Sequence, residues 1–218
     1  MNILDLLGRS PIKLDNSILK KEFNEKVVLV TGAAGSIGSE ISRQIGRFNY
    51  SHLILVDQAE SDLYDLEQYF CEKGYEKVTA IVADIRNEKR MEVIFEKYKP
   101  QVVFHAAAYK HVPMVEHNVI AGITNNVLGT YEIAQAAIYC EVETFVLIST
   151  DKAVHPTNTM GASKRCAELV LQALSKKQKG TKFTMVRFGN VLNSSGSVIP
   201  LFKSQIKEGG PVIVTDKN

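Results

Sequence analysis

Val27-Val28-Leu29-Val30-Thr31-Gly32-Ala33-Ala34-Gly35-Ser36-Ile37-Gly38 decides the architecture. A short unbroken run of branched apolar residues makes a strand buried on both faces, and the glycine-rich turn after it opens into an amphipathic segment. Strand, glycine turn and helix in that order form the first unit of a dinucleotide-binding sheet. The turn leaves out side chains where backbone N–H groups at the helix N-terminus must approach a pyrophosphate. Gly32, Ala34, Gly35, Ser36 and Ile37 are therefore candidate cofactor-binding residues. The spacing is G-x-x-G-x-x-G instead of G-x-G-x-x-G, and a glycine turn alone is a weak signal, so the surroundings must carry the reading.

Short apolar runs recur at 27–30, 53–56, 78–82, 102–104, 145–148 and 183–188, and amphipathic segments fill 36–48, 61–72, 88–97, 125–140 and 159–179. Asn87 and Asn125 stand where helix caps are expected, and Lys99-Pro100 ends a helix before the next strand. Parallel neighbours need crossovers of this length, so the alternation predicts an α/β fold with a Rossmann-like, doubly wound parallel sheet. After residue 188 the rhythm loosens. Asn193-Ser194-Ser195-Gly196-Ser197 reads as a polar loop, 198–207 as a helix, and Gly209-Gly210-Pro211 as a turn into a strand at Val212-Ile213-Val214. The expected boundaries are a lead-in arm at 1–25, a dinucleotide-binding domain at 26–188 and a further segment at 189–218; the resemblance described below makes these an NAD-binding domain with its catalytic strip and the beginning of a substrate-binding subdomain.

Composition excludes several classes. Across 218 residues, 26 basic side chains nearly balance 24 acidic ones, which leaves no electrostatic footprint for nucleic acid or an anionic membrane. Cys71, Cys140 and Cys166 are odd in number and far apart, without C-x-x-C or Cys/His spacing, so neither a disulfide framework nor a metal site is expected. His105, at the end of an apolar run, reads as packed. No apolar run nears the ~20 residues of a membrane span, and the start lacks a signal-peptide core; a cytoplasmic location is expected.

The context for the glycine turn comes from the other strand ends. Asp57 closes the second strand, where a carboxylate can take both ribose hydroxyls and repel a 2′-phosphate, which favours NAD over NADP. Its competing role is to cap the helix containing Asp62 and Leu63. Asp84-Ile85 is placed to hold the adenine, and Ala106-Ala107-Ala108 supplies small side chains where a ligand must lie close.

The fifth strand runs into Ile148-Ser149-Thr150-Asp151-Lys152, followed by Met160-Gly161-Ala162-Ser163-Lys164. Four residues before such a lysine a dehydrogenase-like fold normally carries a tyrosine as proton acceptor. Met160 occupies that place, and a thioether cannot take the proton. Asp151 and Lys152 put two proton-transfer groups side by side at the carboxyl edge of the sheet, where ligands of this architecture bind. The plain alternative is a surface ion pair at a strand end.

These segments, with Ala106-Ala107-Ala108-Tyr109-Lys110-His111-Val112-Pro113, Asn126-Val127-Leu128-Gly129-Thr130 and Arg187-Phe188-Gly189-Asn190-Val191-Leu192-Asn193, resemble the extended short-chain dehydrogenase/reductases. More narrowly, the string from Ser149 to Arg165 is similar to that of nucleotide-sugar 4,6-dehydratases of capsule, O-antigen and protein-glycan synthesis. The resemblance implies NAD-dependent 4,6-dehydration of a UDP-hexose, most simply UDP-N-acetylglucosamine, to a UDP-4-keto-6-deoxy sugar. Hydride leaves C4, water is lost across C5–C6, and hydride returns to C6. It implies that Thr150 hydrogen-bonds the C4 oxygen, that Lys164 binds the nicotinamide ribose, and that Asp151 protonates the departing hydroxyl. Lys152 is the implied base at C5, and the charges of Lys164 and oxidised nicotinamide would favour the neutral form it needs. Met160 leaves the first deprotonation to Asp151, directly or through water. Lys110, His111, Asn126 and Asn190 are the implied substrate contacts, and a homo-oligomer is the implied assembly.

Family members continue past Pro211-Val212-Ile213-Val214-Thr215, so the resemblance places here the cofactor half, the catalytic strip and the start of the substrate subdomain. Leu6-Leu7-Gly8-Arg9 resembles the stretch after the membrane-spanning region of large anchored members, which implies either the cytoplasmic part of an inner-membrane protein or a soluble relative. Two other readings stay open on the residues. A nucleotide-sugar 4-epimerase or simple dehydrogenase would not need Asp151-Lys152 and would want tyrosine at 160; an inactive dinucleotide-binding fragment would need neither.

Overall fold

The computed structural model describes residues 15–192, 194 and 198–213. Leu6 to Arg9, Asn193, Ser195 to Ser197 and Val214 lie outside the described residues. Residues Ser17–Gly189 form one compact unit, and the chain from Asn190 belongs to another.

In the first unit, strands β1 (Val27–Thr31), β2 (His52–Asp57), β3 (Val78–Val82), β4 (Val102–His105), β5 (Thr144–Thr150) and β6 (Lys182–Phe188) follow the six predicted runs. They form one parallel sheet in the order β3-β2-β1-β4-β5-β6. Strand order reverses between β1 and β4, and that crevice at the carboxyl ends is where a doubly wound sheet binds its ligand.

Side chains alternate between two cores, as a pleated strand requires. Leu29, Ile54, Val56, Val103, Phe145 and Leu147 pack with Met91, Phe95, Ile133 and Leu171 on one face. Val28, Val30, Leu53 and Leu55 pack with Ile45, Leu63, Leu66 and Phe70 on the other. The helices responsible are α2 (Ser36–Ile45), α3 (Glu60–Glu72), α4 (Glu88–Tyr98), α7 (Gly129–Tyr139) and α8 (Thr159–Lys177). Helix α1 (Asn16–Phe23) lies within the expected lead-in arm, yet Phe23 is buried and stacks on Phe48 at 5.5 Å. The end of that arm thus belongs to the core.

Other departures have local causes. Helix α2 stops at Ile45, three residues early, because Gly46 and the following residues close the turn back onto Ser42 and Gln44. Asn87 does cap α4, accepting from the Arg90 N–H at 3.1 Å, and Lys99 ends that helix in the left-handed region before Pro100. Asn125, by contrast, caps nothing. The chain is already helical at α5 (Val112–His117), with Pro113 in its first turn, and at α6 (Val119–Ile123); Asn125 lies buried in a π-helical turn, Thr124–Leu128, that leads into α7. A π turn inside a helix often marks a functional site.

In the second unit, α9 (Val198–Lys207) matches the predicted helix. Val212 and Ile213 were expected in a strand but pair with none among the described residues. No helix among the described residues is long and apolar enough to cross a membrane.

Candidate active site

An open cleft of about 210 Å³ lies over the carboxyl ends of β1, β2, β3 and β4, lined by Gly32, Ala34, Gly35, Asp57, Ile85 and the run Ala106 to Ala108. Gly32 is required here twice over. Its φ of +67° favours a residue without a Cβ, and a Cβ would strike the Ala106–Ala107 backbone at about 2.5–2.6 Å. The turn can thus press against β4, and α2 starts beside the cleft with no side-chain cap from its N-cap residue, Gly35. A helix N-terminus with uncapped N–H groups suits a pyrophosphate.

Asp57 closes β2, and its carboxylate already accepts from two backbone N–H groups. Oδ2 accepts from the Ala34 N–H at 2.9 Å, bracing the glycine turn, and Oδ1 accepts from the Ala59 N–H at 3.0 Å at the start of α3. A carboxylate oxygen has a second lone pair, so both remain able to accept from a ligand. Asp84, expected at the adenine, is differently used. Its carboxylate is gripped by the Arg86 guanidinium and backbone N–H, and only its neighbour Ile85 lines the cleft. The hydrogen bonds from Arg86 hold Asp84 below the usual carboxylate range, against a smaller opposing effect of burial. Ser36 and Ile37 sit in the first turn of α2 and are not among the lining residues, whereas Gln58, Ala59, Asp62, Ala83, Tyr109 and Asn125 are. Those six escaped the sequence reading.

Beneath the cleft runs a buried polar chain. Thr130 Oγ1 donates to the Asn126 carbonyl at 2.7 Å, so it must accept from His105 Nε2–H at 3.0 Å. His105 Nδ1 is then the acceptor for Thr31 Oγ1 at 2.6 Å. One neutral tautomer satisfies every group, and burial, with Lys164 nearby, pushes the imidazole down to about 3. His105 is packed, as expected. Asn126 was expected to touch substrate, and its position corrects that. It is fully buried; Oδ1 accepts from the Tyr109 N–H (2.8 Å) and Asn125 (3.2 Å), while Nδ2 donates to the Tyr109 carbonyl and Ser163 Oγ, both at 3.0 Å. Every donor and acceptor is occupied, so Asn126 braces Tyr109 against α8 and has no bond to spare for a sugar.

The candidate catalytic strip is continuous. Thr150 ends β5, and Asp151–Ala153 make a single 3-10 turn. Thr150 Oγ1 donates to Asp151 Oδ1 at 3.0 Å and accepts from the Lys152 N–H at 3.3 Å, and Lys152 Nζ reaches the same Oδ1 at 3.3 Å. Asp151 and Lys152 remain 55% and 35% exposed and so are open to a ligand. The Thr150 hydrogen bond, reinforced by Lys152 against slight burial, lowers the Asp151 carboxyl. Gly161, in the first turn of α8, lets this turn seat on the helix, since a Cβ there would overlap the Lys152 carbonyl.

Met160 is buried one turn before Lys164. Lys164 itself is only 4% exposed, and no hydrogen-bond partner for Nζ is found among the described residues. Burial brings it down to about 8, with Glu168 opposing. An orphaned buried ammonium wants an acceptor, and a ribose hydroxyl supplies one. Lys110 and His111 are exposed at the entry to α5. Asn190 belongs to the second unit.

Sequence reading also missed Glu168. It is fully buried and accepts from Ser149 Oγ (2.7 Å), Arg187 Nε (2.7 Å) and Arg165 Nη1 (2.9 Å).

A parallel sheet in this order, a glycine turn under a helix N-terminus, a carboxylate at the end of β2 and a Thr-Asp-Lys strip beside a buried lysine define an extended short-chain dehydrogenase/reductase. The polysaccharide biosynthesis protein model matches residues 28–218. The chain belongs to that family. It is 48% identical to the capsular polysaccharide biosynthesis protein CapD of Staphylococcus aureus over 99% of this chain and 36% of CapD. It is 35% identical to a UDP-glucose 4-epimerase of Rickettsia canadensis over 89% of this chain and 57% of that protein. The X-ray structure of Pen from Bacillus thuringiensis superposes with a TM-score of 0.84 at 37% identity, covering 89% of this chain and 61% of Pen. The chain therefore spans about a third of CapD's length and less than two thirds of the other two.

Proposed function

We propose that this chain carries the cofactor half and catalytic strip of an NAD-dependent 4,6-dehydratase acting on a UDP-hexose, with UDP-N-acetylglucosamine as substrate, in surface-polysaccharide or protein-glycan synthesis. The observation that carries the reading is the hydrogen-bonded Thr150–Asp151–Lys152 array beside buried Lys164, with Met160 in place of a proton acceptor. A reaction that only oxidised or epimerised C4 would have no work for both Asp151 and Lys152.

Gly32, Ala34 and Gly35 would hold the pyrophosphate, Asp57 the adenosine ribose, Ile85 the adenine and Lys164 the nicotinamide ribose. When bound, the nicotinamide supplies removal and return of hydride. The protein's own residues move the protons. Thr150 orients the C4 hydroxyl. Asp151, held in its carboxylate form, enters as the base that takes the C4 hydroxyl proton and later returns it to the C6 oxygen as water departs. The lowered carboxyl orders these two duties, base first and acid second. Lys152 takes the C5 proton once a C4 ketone has acidified it and gives a proton back to C5 when hydride returns to C6. Met160 fills space.

Incubation with UDP-N-acetylglucosamine tests the reading, with products identified by NMR. A UDP-4-keto-6-deoxy sugar is the expected product. The epimerase reading is favoured by the Rickettsia relative's name, and UDP-N-acetylgalactosamine would establish it. Bound NAD with neither product would leave a dinucleotide-binding module. We further propose a homo-oligomer, because Leu169 on α8, Ile120 and Ile123 on α6 and Tyr131 on α7 leave apolar surface exposed on neighbouring helices.

A further inference from the structure

Glu168 is an unusual residue to find fully buried, because a carboxylate out of water is costly unless every lone pair is met. Here the cost is offset by Ser149 of β5, Arg187 of β6 and Arg165 of α8. Two facts argue that more than a clamp is involved. Lys164 lies four residues earlier, on the same face of the same helix. Ser149, one of the three donors, immediately precedes Thr150 at the catalytic edge.

We propose that Glu168 is a positioning residue for the site, its buried carboxylate keeping the Lys164 ammonium charged and fixing α8 in register with Thr150. The inference rests on the reading of Lys164 as a site residue and adds a group that touches neither cofactor nor substrate.

The competing charges decide for Glu168. Arg165 and Arg187 have side chains 36% and 37% exposed, so water screens them, whereas the Glu168 side chain is 0% exposed. On the elements packed against α8, His105 is neutral, as its hydrogen bonds require. Asp151 and Lys152 form their own pair, more solvated than Glu168, and Glu116 is an exposed cap on Thr159. The carboxylate is thus the least screened charge near Lys164. Removing it also leaves the two guanidiniums uncompensated, which pushes Lys164 the same way, toward the neutral amine. A merely structural clamp would need the hydrogen bonds and not the charge.

The test labels the lysine ε-carbons with carbon-13 in the whole chain and follows the Lys164 resonance, identified by its loss in Lys164→Met, as pH is raised. The wild-type midpoint is expected at about 8. Glu168→Gln keeps the size and hydrogen-bonding atoms and should lower that midpoint by about one pH unit or more. Arg165→Gln, a change at a solvated position, should move it much less. Ser149→Ala should lower thermal stability and leave the midpoint where it was. An unmoved midpoint in Glu168→Gln, or an equal shift in Ser149→Ala, overturns the proposal. Should Glu168→Gln fail to fold, Glu168→Asp takes its place: it keeps the charge, so the midpoint should stay near the wild-type value while thermal stability falls, and a midpoint that drops by about one pH unit there overturns the proposal. The titration needs no ligand. A wild type that binds no NAD by calorimetry, while Lys164 still follows Glu168, would refute the cofactor reading and uphold the link between the two residues.

Discussion

Acid should loosen this fold through one imidazole. His105 is fully buried, bonded to Thr31 and Thr130, and its pKa falls from an ordinary 6.5 to about 3. The unfolded chain therefore takes up a proton below 6.5 that the folded chain refuses until about 3. Stability is fully present above the unfolded value and is lost as pH falls toward the folded one. At pH 5 the deficit is about 2 kcal/mol, since each unit below 6.5 is worth about 1.4 kcal/mol. Glu132, raised by burial, also reaches toward this window, but it is present in both proteins to be compared and cancels. Lys164 changes stability only between 10.5 and about 8, and Glu168 only between 4.5 and about 2. His52 is also lowered, but it is present in both proteins to be compared and cancels. The comparison is wild type against His105→Gln, which retains an amide donor and acceptor for the two threonines and does not titrate. Urea unfolding followed by circular dichroism at pH 7 and pH 5 gives the four free energies. Wild type should lose about 2 kcal/mol more than the variant on acidification, whatever the offset between them at pH 7. Equal losses would show that His105 is not held neutral by burial, and the tautomer deduced from Thr130 would fall with it.

Four further outcomes are expected. Asp57→Ala should move the NAD-to-NADP affinity ratio by about tenfold toward NADP, read by calorimetry, because both a ribose acceptor and a repelling charge are lost. Asp151→Asn and Lys152→Ala should each cost about 10²–10⁴ in dehydration of UDP-N-acetylglucosamine with NAD still bound, while Met160→Ala costs far less; solvent deuterium should fail to enter C5 in the Lys152 variant, and normal exchange there would remove Lys152 from the mechanism. Gly161→Ala should lower thermal stability by about 2 kcal/mol or more, measured by calorimetric melting, because its Cβ meets a backbone carbonyl that cannot turn aside. Light scattering at micromolar concentration should find a dimer or larger species, and a monomer would refute the assembly.

The sheet was legible because its strands centre on short apolar runs, unbroken in β1 and β2 and interrupted by Thr184 and Arg187 in β6, and β1 to β6 fall where those runs fall. Glycine spacing located the tight turn after β1 for the same reason: a residue type that serves one geometry announces it. What escaped detection depends on partners distant in sequence. Asn125 looked like a helix cap because an Asn before an apolar stretch usually is one; only tertiary packing makes the preceding segment helical and turns that Asn inward. Asn126 looked like a sugar ligand because nothing in the string reveals that Tyr109 and Ser163 already occupy its amide. Glu168 was invisible for a related reason. On α8 it reads as one more acid on a solvated helix, and its meaning comes from Ser149 and Arg187, each 19 positions away. Short patterns report backbone conformation, whereas the fate of a polar side chain is settled by what the folded chain sets opposite it. Candidate site residues are therefore read from their strand-end positions, and the polar groups packed around them come to light only once the strands are assembled.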